Sequence, residues 1–201
     1  MTLEDLKQQY GIEHLYHMTH INNLASIIKR GLLSHNSAHR LNVIQSDISD
    51  PDVQDIRADL VVPFYNRPLH AYVPLYFAPR NPMLYKRKEM QEDIVILGLD
   101  PNLLFEPNIL ITDGNAAAKE TSFYRRHNAL SKLPWDSIRA KSWHNIEDGR
   151  RIKCAEVLFY DKIMPNKIQF VFCYSQKHRE AIIAAKQGTS ILGKVKKDLY
   201  F

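Results

Sequence analysis

Glycine is scarce in this chain, and the scarcity removes whole classes of function. Seven glycines occur among 201 residues. None builds a Gly-x-x-x-x-Gly-Lys loop or a Gly-x-Gly-x-x-Gly turn, so neither standard phosphate-binding loop is present. No Gly-x-Ser-x-Gly elbow occurs and no Cys–His pair stands in a protease signature, which weakens hydrolase readings. Cysteine is as sparse: Cys154 and Cys173 lie in separate apolar runs without metal-like spacing, a usage that suits a reducing cytoplasm. No apolar run approaches a membrane span, and Met1 to Tyr10 is too polar for a secretory signal peptide.

What is present is ordinary in bulk. Hydrophobic residues make up 45% and charged residues 24%, and residues 1–201 suffice for a single domain with a sizeable core. The formal net charge of +5 permits a polyanionic partner without demanding one, since Lys194, Lys196 and Lys197 supply much of the excess.

Hydrophobic spacing predicts the elements. Residues 2–10 read as a short polar helix. Ile21, Leu24, Ile27 and Ile28 recur at helical spacing up to Gly31, so Tyr16 to Thr19 should be a strand end feeding that helix. Residues 36–70 read as a long irregular loop with one helical turn group, and a loop of that length usually has a job. Tyr72 to Phe77, Ile94 to Leu99, Ile109 to Thr112, Ala155 to Tyr160 and Ile168 to Tyr174 read as strands. Ser122 to Leu133 and Gln176 to Lys186 read as helices. Strands and helices mix without regular βαβ alternation, which makes the class α+β.

Several side chains carry candidate chemistry. His17 and Thr19 would point to one side of an extended segment and offer an imidazole beside a hydroxyl, a platform for a ribose or a carboxamide. The competing reading is a packed histidine with Thr19 as the next helix's N-cap. Glu156 is a lone carboxylate in a strand that otherwise wants burial, either a cleft acid or an exposed edge charge. Arg57 stands between Asp55 and Asp59 and by itself reads as a solvated charge. Arg80, between Pro79 and Asn81-Pro82, suits a fixed phosphate or base contact or a structural turn. His14, His17 and His20, with His35 and His39, invite a zinc reading. An extended segment sends side chains three apart to opposite faces, and no cysteine or carboxylate completes a ligand set, so no metal is expected. Tyr65, Tyr72, Tyr76, Phe77 and Tyr85 could stack on bases, although strand aromatics mostly pack.

Three segments taken together go further. They are Leu15-Tyr16-His17-Met18-Thr19-His20-Ile21-Asn22-Asn23-Leu24, the block Tyr72-Val73-Pro74-Leu75-Tyr76-Phe77-Ala78-Pro79-Arg80-Asn81-Pro82-Met83-Leu84-Tyr85, and Ala155-Glu156-Val157-Leu158-Phe159-Tyr160. In this order, with Val53 to Arg57 between the first two, the chain resembles the DarT family of bacterial toxins, NAD-dependent DNA ADP-ribosyltransferases. The resemblance implies an ADP-ribosyltransferase fold, with NAD in a cleft between two curved, mostly antiparallel sheets. By position it makes Glu156 and Arg57 catalytic. It sets His17 and Thr19 at the nicotinamide end of NAD, and His35, Asn36, Tyr76 and Met83 in the cleft. Arg80 is expected on the DNA. It also implies single-stranded DNA as acceptor, characteristically at thymidine, and a macrodomain antitoxin that removes the mark.

Two departures stand out. Family members often carry a histidine shortly after the Thr-Asp of the third block, where this chain has Asn115. Asp47, Asp50, Asp52 and Asp55 also make the loop acidic. Both bear on the acceptor more than on the transfer. Two alternatives stay open: an ADP-ribosyltransferase acting on RNA or protein, and a catalytically inactive nucleotide- or nucleic-acid-binding module.

Overall fold

The computed structural model describes residues 2–201. Helix α1 (Leu3–Tyr10) opens on Thr2, whose hydroxyl accepts the Asp5 N–H while the Asp5 carboxylate accepts the Thr2 N–H, a reciprocal cap. Strand β1 (Leu15–His20) passes through a 3-10 turn at Ile21–Asn23 into α2 (Leu24–Arg30). Gly31, at φ 95°, ends that helix, since few side chains tolerate such a backbone. Short strand β2 (Leu32–Leu33) follows.

The stretch expected as an irregular loop is largely ordered. It holds α3 (His35–Arg40), α4 (Pro51–Asp59) and a hairpin of β3 (Val61–Val62) and β4 (Arg67–Pro68). The Asp50-Pro51 pair is the physical reason for α4: Asp50 caps the helix through the Asp52 N–H at 3.2 Å, and Pro51 occupies the first turn. Strand β5 (Tyr72–Tyr76) leads to α5 (Pro82–Lys86), capped by Asn81.

Strands β6 (Ile94–Leu99) and β7 (Leu110–Thr112) match expectation. Residues 122–133 do not. Phe123–Arg125 is strand β8, paired antiparallel with β7, and His127–Lys132 is a 3-10 turn. Arg126 at φ 66° breaks any continuous helix there. Helices α6 (Trp135–Arg139) and α7 (Gly149–Ile152) precede β9 (Glu156–Tyr160), short β10 (Lys162–Ile163) and β11 (Ile168–Cys173). Residues expected as one closing helix form a 3-10 turn at Gln176–His178 and α8 (Arg179–Ala185). Strand β12 (Leu192–Val195) then adds to the sheet.

The principal sheet runs β12-β11-β6-β1-β5-β9-β7-β8. Strands β1 and β5 share a single register pair, Tyr16 with Tyr76. The sheet is therefore two four-stranded halves that splay from that joint, all antiparallel except β11–β12. Each half needs apolar cover. Leu15, Val73, Val95, Leu97, Ile111 and Val157 pack against α1, α2 and α8, while Met18, Ile94, Ile96, Phe172 and Tyr200 form a second cluster. The splay leaves the cleft that positions the site.

Candidate active site

The two halves and α3–α5 enclose a cleft of about 550 Å³. From the first half, β1 contributes His17 and Thr19; from the second, β5 contributes Tyr76. His17 and Thr19 share a face because strand side chains alternate. The His17 Nδ1 lies 2.9 Å from the Pro74 carbonyl. Burial lowers the pKa of this imidazole, so the ring is neutral and Nδ1 carries the hydrogen donated to Pro74. Nε2 is then left as an acceptor. Thr19 is buried and its hydroxyl accepts the Asn23 amide at 3.1 Å. The N-cap of the following turn is His20, not Thr19.

Glu156 is the first residue of β9 and 1% exposed. It sits on an interior strand between β5 and β7, which rules out the edge-charge reading. Its carboxylate accepts from Arg57, with Nη1 at 3.3 Å from Oε1 and Nη2 at 3.3 Å from Oε2. The Ala116 N–H donates to Oε1 at 2.9 Å. The strand position is fixed by Thr112, whose Oγ1 accepts the Glu156 N–H at 3.0 Å and donates to the Gly114 carbonyl at 2.7 Å. Arg57 comes from α4 and is buried, so its partner is Glu156 rather than Asp55 or Asp59. Tyr76 faces Glu156 in register; burial and then the Glu156 charge push its phenol well above the usual range.

One wall of the cleft has no regular structure. Residues 43–50 are held there by side chains on other elements. Asn23 accepts the Gln45 and Ser46 N–H groups at 2.8 and 3.1 Å and donates to the Ser46 carbonyl at 2.6 Å. Arg87 donates to the Ile48 and Ser49 carbonyls at 2.8 and 2.5 Å, and Lys86 pairs with Asp50. Asn23 thus ties this wall directly to Thr19. Opposite, Asn115 lines the cleft with its Oδ1 occupied by the Ala117 N–H at 3.0 Å.

His35 also lines the cleft, sandwiched between His39 at 4.1 Å and His70 at 4.0 Å. His70 donates from Nε2 to Gln54 on α4 at 2.9 Å. Burial, then His35, Arg57 and His39, lower its pKa to about 4. The three rings stack rather than converge, and among the described residues no set of three His, Cys, Asp or Glu gathers in metal-binding geometry.

The structure therefore brings His17, Thr19, His35, Arg57, Tyr76 and Met83 to one cleft, with Glu156 bonded to Arg57 just behind that lining. Two expected residues lie elsewhere. Asn36 is exposed on the outer side of α3 and does not line the cleft. Helical geometry separates it from His35, since neighbours differ by about 100° around the axis. Arg80 stacks its guanidinium 4.6 Å above the Phe201 ring, outside the cleft. The sequence reading passed over Asn23, His70 and Thr112. Asn23 carried no local signal, since Thr19 is in strand β1 and the two meet only because the chain turns at Ile21–Asn23.

Comparison with known proteins adds a decisive observation. The family described as "ssDNA thymidine ADP-ribosyltransferase, DarT" matches residues 16–201. This chain belongs to that family. A DarT relative named DNA ADP-ribosyl transferase, from Thermus aquaticus, is 32% identical over 180 residues, covering 85% of this chain and 80% of that one. A DNA ADP-ribosyl transferase–DNA ADP-ribosyl glycohydrolase fusion protein from Thermosipho africanus is 33% identical over 162 residues, which cover 79% of this chain and 42% of the fusion. This chain thus spans less than half of that fusion's length. Among solved structures, Thermus sp. 2.9 DarT in complex with ADP-ribosylated ssDNA superposes with a TM-score of 0.85 at 28% identity, covering 95% of this chain and 97% of that one. The same protein in complex with NAD+ gives 0.80, again at 28% identity, over 94% and 98% of the two chains. The DarT fold is thus that of the whole chain.

Proposed function

We propose that the cleft binds NAD and that the chain transfers its ADP-ribose to a thymidine of single-stranded DNA. The observation that carries the residue roles is the carboxylate of Glu156, 1% exposed and held by the Ala116 N–H and by Arg57, which itself lines the cleft with His17 and Thr19. Breaking the bond between nicotinamide and ribose C1′ sends the electron pair to nicotinamide and leaves oxocarbenium-like charge on the sugar. A carboxylate at the ribose stabilises that charge and holds the ring. Glu156 is assigned this role. C1′ then bonds to thymine N3, whose proton passes to the Glu156 carboxylate. N3–H lies on the pairing edge, so the base must be unpaired.

His17 and Thr19 are assigned to the nicotinamide end, where the neutral Nε2 of His17 accepts a carboxamide N–H. His35, Tyr76 and Met83 complete the NAD cleft. Arg57 cannot take the thymine proton, because a guanidinium stays protonated. It is assigned to hold Glu156 in place and either to stabilise the developing thymine anion or to hold the NAD diphosphate. Arg80 is retained as a DNA contact only outside the cleft. The fusion relative combines a transferase with a glycohydrolase, which supports a macrodomain antitoxin that reverses the mark, with this chain as the toxin. Two buried free thiols suit a reducing cytoplasm, and among the described residues no helix is long and apolar enough to cross a membrane.

The test is mass spectrometry of a mixed-sequence single-stranded oligonucleotide incubated with NAD and the protein. The expected result is a gain of one ADP-ribose on thymidine, absent with Glu156→Gln. Nicotinamide release without a DNA adduct would move the acceptor to RNA or protein. No release would leave a binding module.

A further inference from the structure

The face of β9 that presents Glu156 also presents Leu158 and Tyr160, two and four residues on. Leu158 packs with Ala116, Phe123 and Tyr65, so this face leads outward from the catalytic carboxylate to the hairpin of β3 and β4 and the edge strand β8. There the chain gathers aromatic rings and cations. Arg67 lies 3.9 Å above the Tyr160 ring and 5.4 Å from that of Tyr65. Arg125 lies 5.2 Å from the Tyr65 ring and 5.9 Å from that of Phe64. A cavity of about 280 Å³ opens beside them, with Phe64, Phe123, Arg125 and Lys132 in its wall and no carboxylate in its lining.

Two features resist an explanation by packing alone. Phe64 is 58% exposed and sits at φ 75°. A left-handed backbone at a bulky residue costs about 1–3 kcal/mol, and burial does not offset it here. Moreover, none of Arg67, Arg125, Arg126 and Lys132 forms an ion pair among the described residues. Rings that are exposed (Phe64 and Tyr160) or half-buried (Tyr65 and Phe123), interleaved with cations in no ion pair, match the chemistry of unpaired nucleotides, whose bases stack while their phosphates seek positive charge.

We propose that this surface is a second nucleotide subsite, which takes the single strand beside the base that is modified. The proposal rests on the function argued above and names how that substrate is held. The reach fits. Phe123 pairs with Thr112, whose hydroxyl accepts the Glu156 N–H. Two strand spacings of ~4.8 Å therefore separate the Phe123 and Glu156 backbones, about 10 Å. That is about three steps of a stacked strand at ~3.4 Å each. Phe64 and Phe123 offer faces for bases, and Arg125 and Lys132 offer partners for phosphates.

The test compares a short acceptor, a thymidine with one nucleotide on each side, with a long one carrying about ten further nucleotides. Phe64→Ala and Arg125→Ala should each raise KM for the long acceptor about five- to tenfold or more, as loss of a stacked base does. The short acceptor and the KM for NAD should not change. Anisotropy of the labelled long strand should weaken in parallel, and Arg125→Ala should reduce its salt slope by about 0.7. Arg125→Lys should restore most phosphate-driven binding, and unchanged melting temperatures exclude unfolding. Equal effects on short and long acceptors, or none on either, overturn the subsite. So does equal long-strand anisotropy in variant and parent, and so does sensitivity confined to an RNA of equal length. Absence of transfer to both acceptors by the parent protein would instead refute the reaction, while anisotropy still decides the subsite.

Discussion

Arg57 and Glu156 stand 99 residues apart in sequence and meet in a buried ion pair. One comes from a helix capped by Asp50 and Pro51, the other from the first position of an interior strand. Arg57 lines the cleft, and the pair joins α4 to the principal sheet. Burying two charges is costly, and the geometry offsets this with a two-nitrogen contact and the Ala116 N–H. An arrangement of this kind gains little in stability over apolar residues, so its presence points to chemistry.

That reasoning sets a double-mutant prediction. Glu156→Gln should cut ADP-ribose transfer by ~10²-fold or more while leaving the fold intact. Glu156→Ala should destabilise by about 3–5 kcal/mol, because it strands a buried guanidinium. Adding Arg57→Met should recover part of that loss, giving clear non-additivity in denaturation midpoints. Strict additivity would mean that the two side chains do not share a buried interaction.

Asn23 yields a second prediction. Its amide makes three bonds to the 45–46 backbone and one to Thr19, so it sets the spacing between one cleft wall and Thr19, the residue proposed for the nicotinamide end. Asn23→Ala should raise KM for NAD about tenfold, ~1.4 kcal/mol of binding, with a much smaller change in kcat. Asn23→Asp keeps the two accepted N–H groups and loses both donated bonds, so it should fall between. A fall in kcat with unchanged KM would show that the wall does not contact NAD.

How much of this was legible in the sequence follows the physics of each segment. Ile94–Leu99 is buried along its whole length, and an unbroken apolar run needs no tertiary information to read. Glu156 could be singled out as a charge in a strand, yet whether its strand was interior depended on pairing with β5 and β7. Phe123–Arg125 became a strand because β7 offered a partner, which overrides local helical spacing. Asp50-Pro51 carries a helix start inside the stretch expected as an irregular loop. Arg57's partner could not be found locally, since only the fold brings Glu156 to α4. Resemblance placed Asn36 beside His35, but helical geometry turned it to solvent.

Gly31 provides a stability prediction. A Cβ there would lie 2.5 Å from the Ile163 carbonyl oxygen, and the residue's φ is 95°. Gly31→Ala should therefore push β2 away from β10, whose Leu32 and Ile163 are register partners, and cost about 2–3 kcal/mol. In a chain of this size that lowers the melting temperature by about 4–10 °C. Calorimetry of the variant checks it. An unchanged midpoint would mean that the β2–β10 contact contributes little.

The last prediction concerns acid. His70 is held neutral down to about pH 4 by burial, by His35 and His39 and by Arg57, whereas an unfolded histidine titrates near 6.5. Above pH 6.5 both states are neutral and His70 adds no pH dependence. Below it the unfolded chain binds the proton first, so stability is lost as pH falls from about 6.5 to about 4. With solvent screening this amounts to about 1–2 kcal/mol. His70→Gln removes the titrating ring, so the stability difference between parent and variant should be flat from pH 7 to 9. It should then shift in the variant's favour by that amount towards pH 4. Denaturant unfolding at pH 7.5 and 4.5 measures both values. An equal difference at the two pH values would show that the ring is protonated in the folded state and that the His35–His70 stack opens in acid.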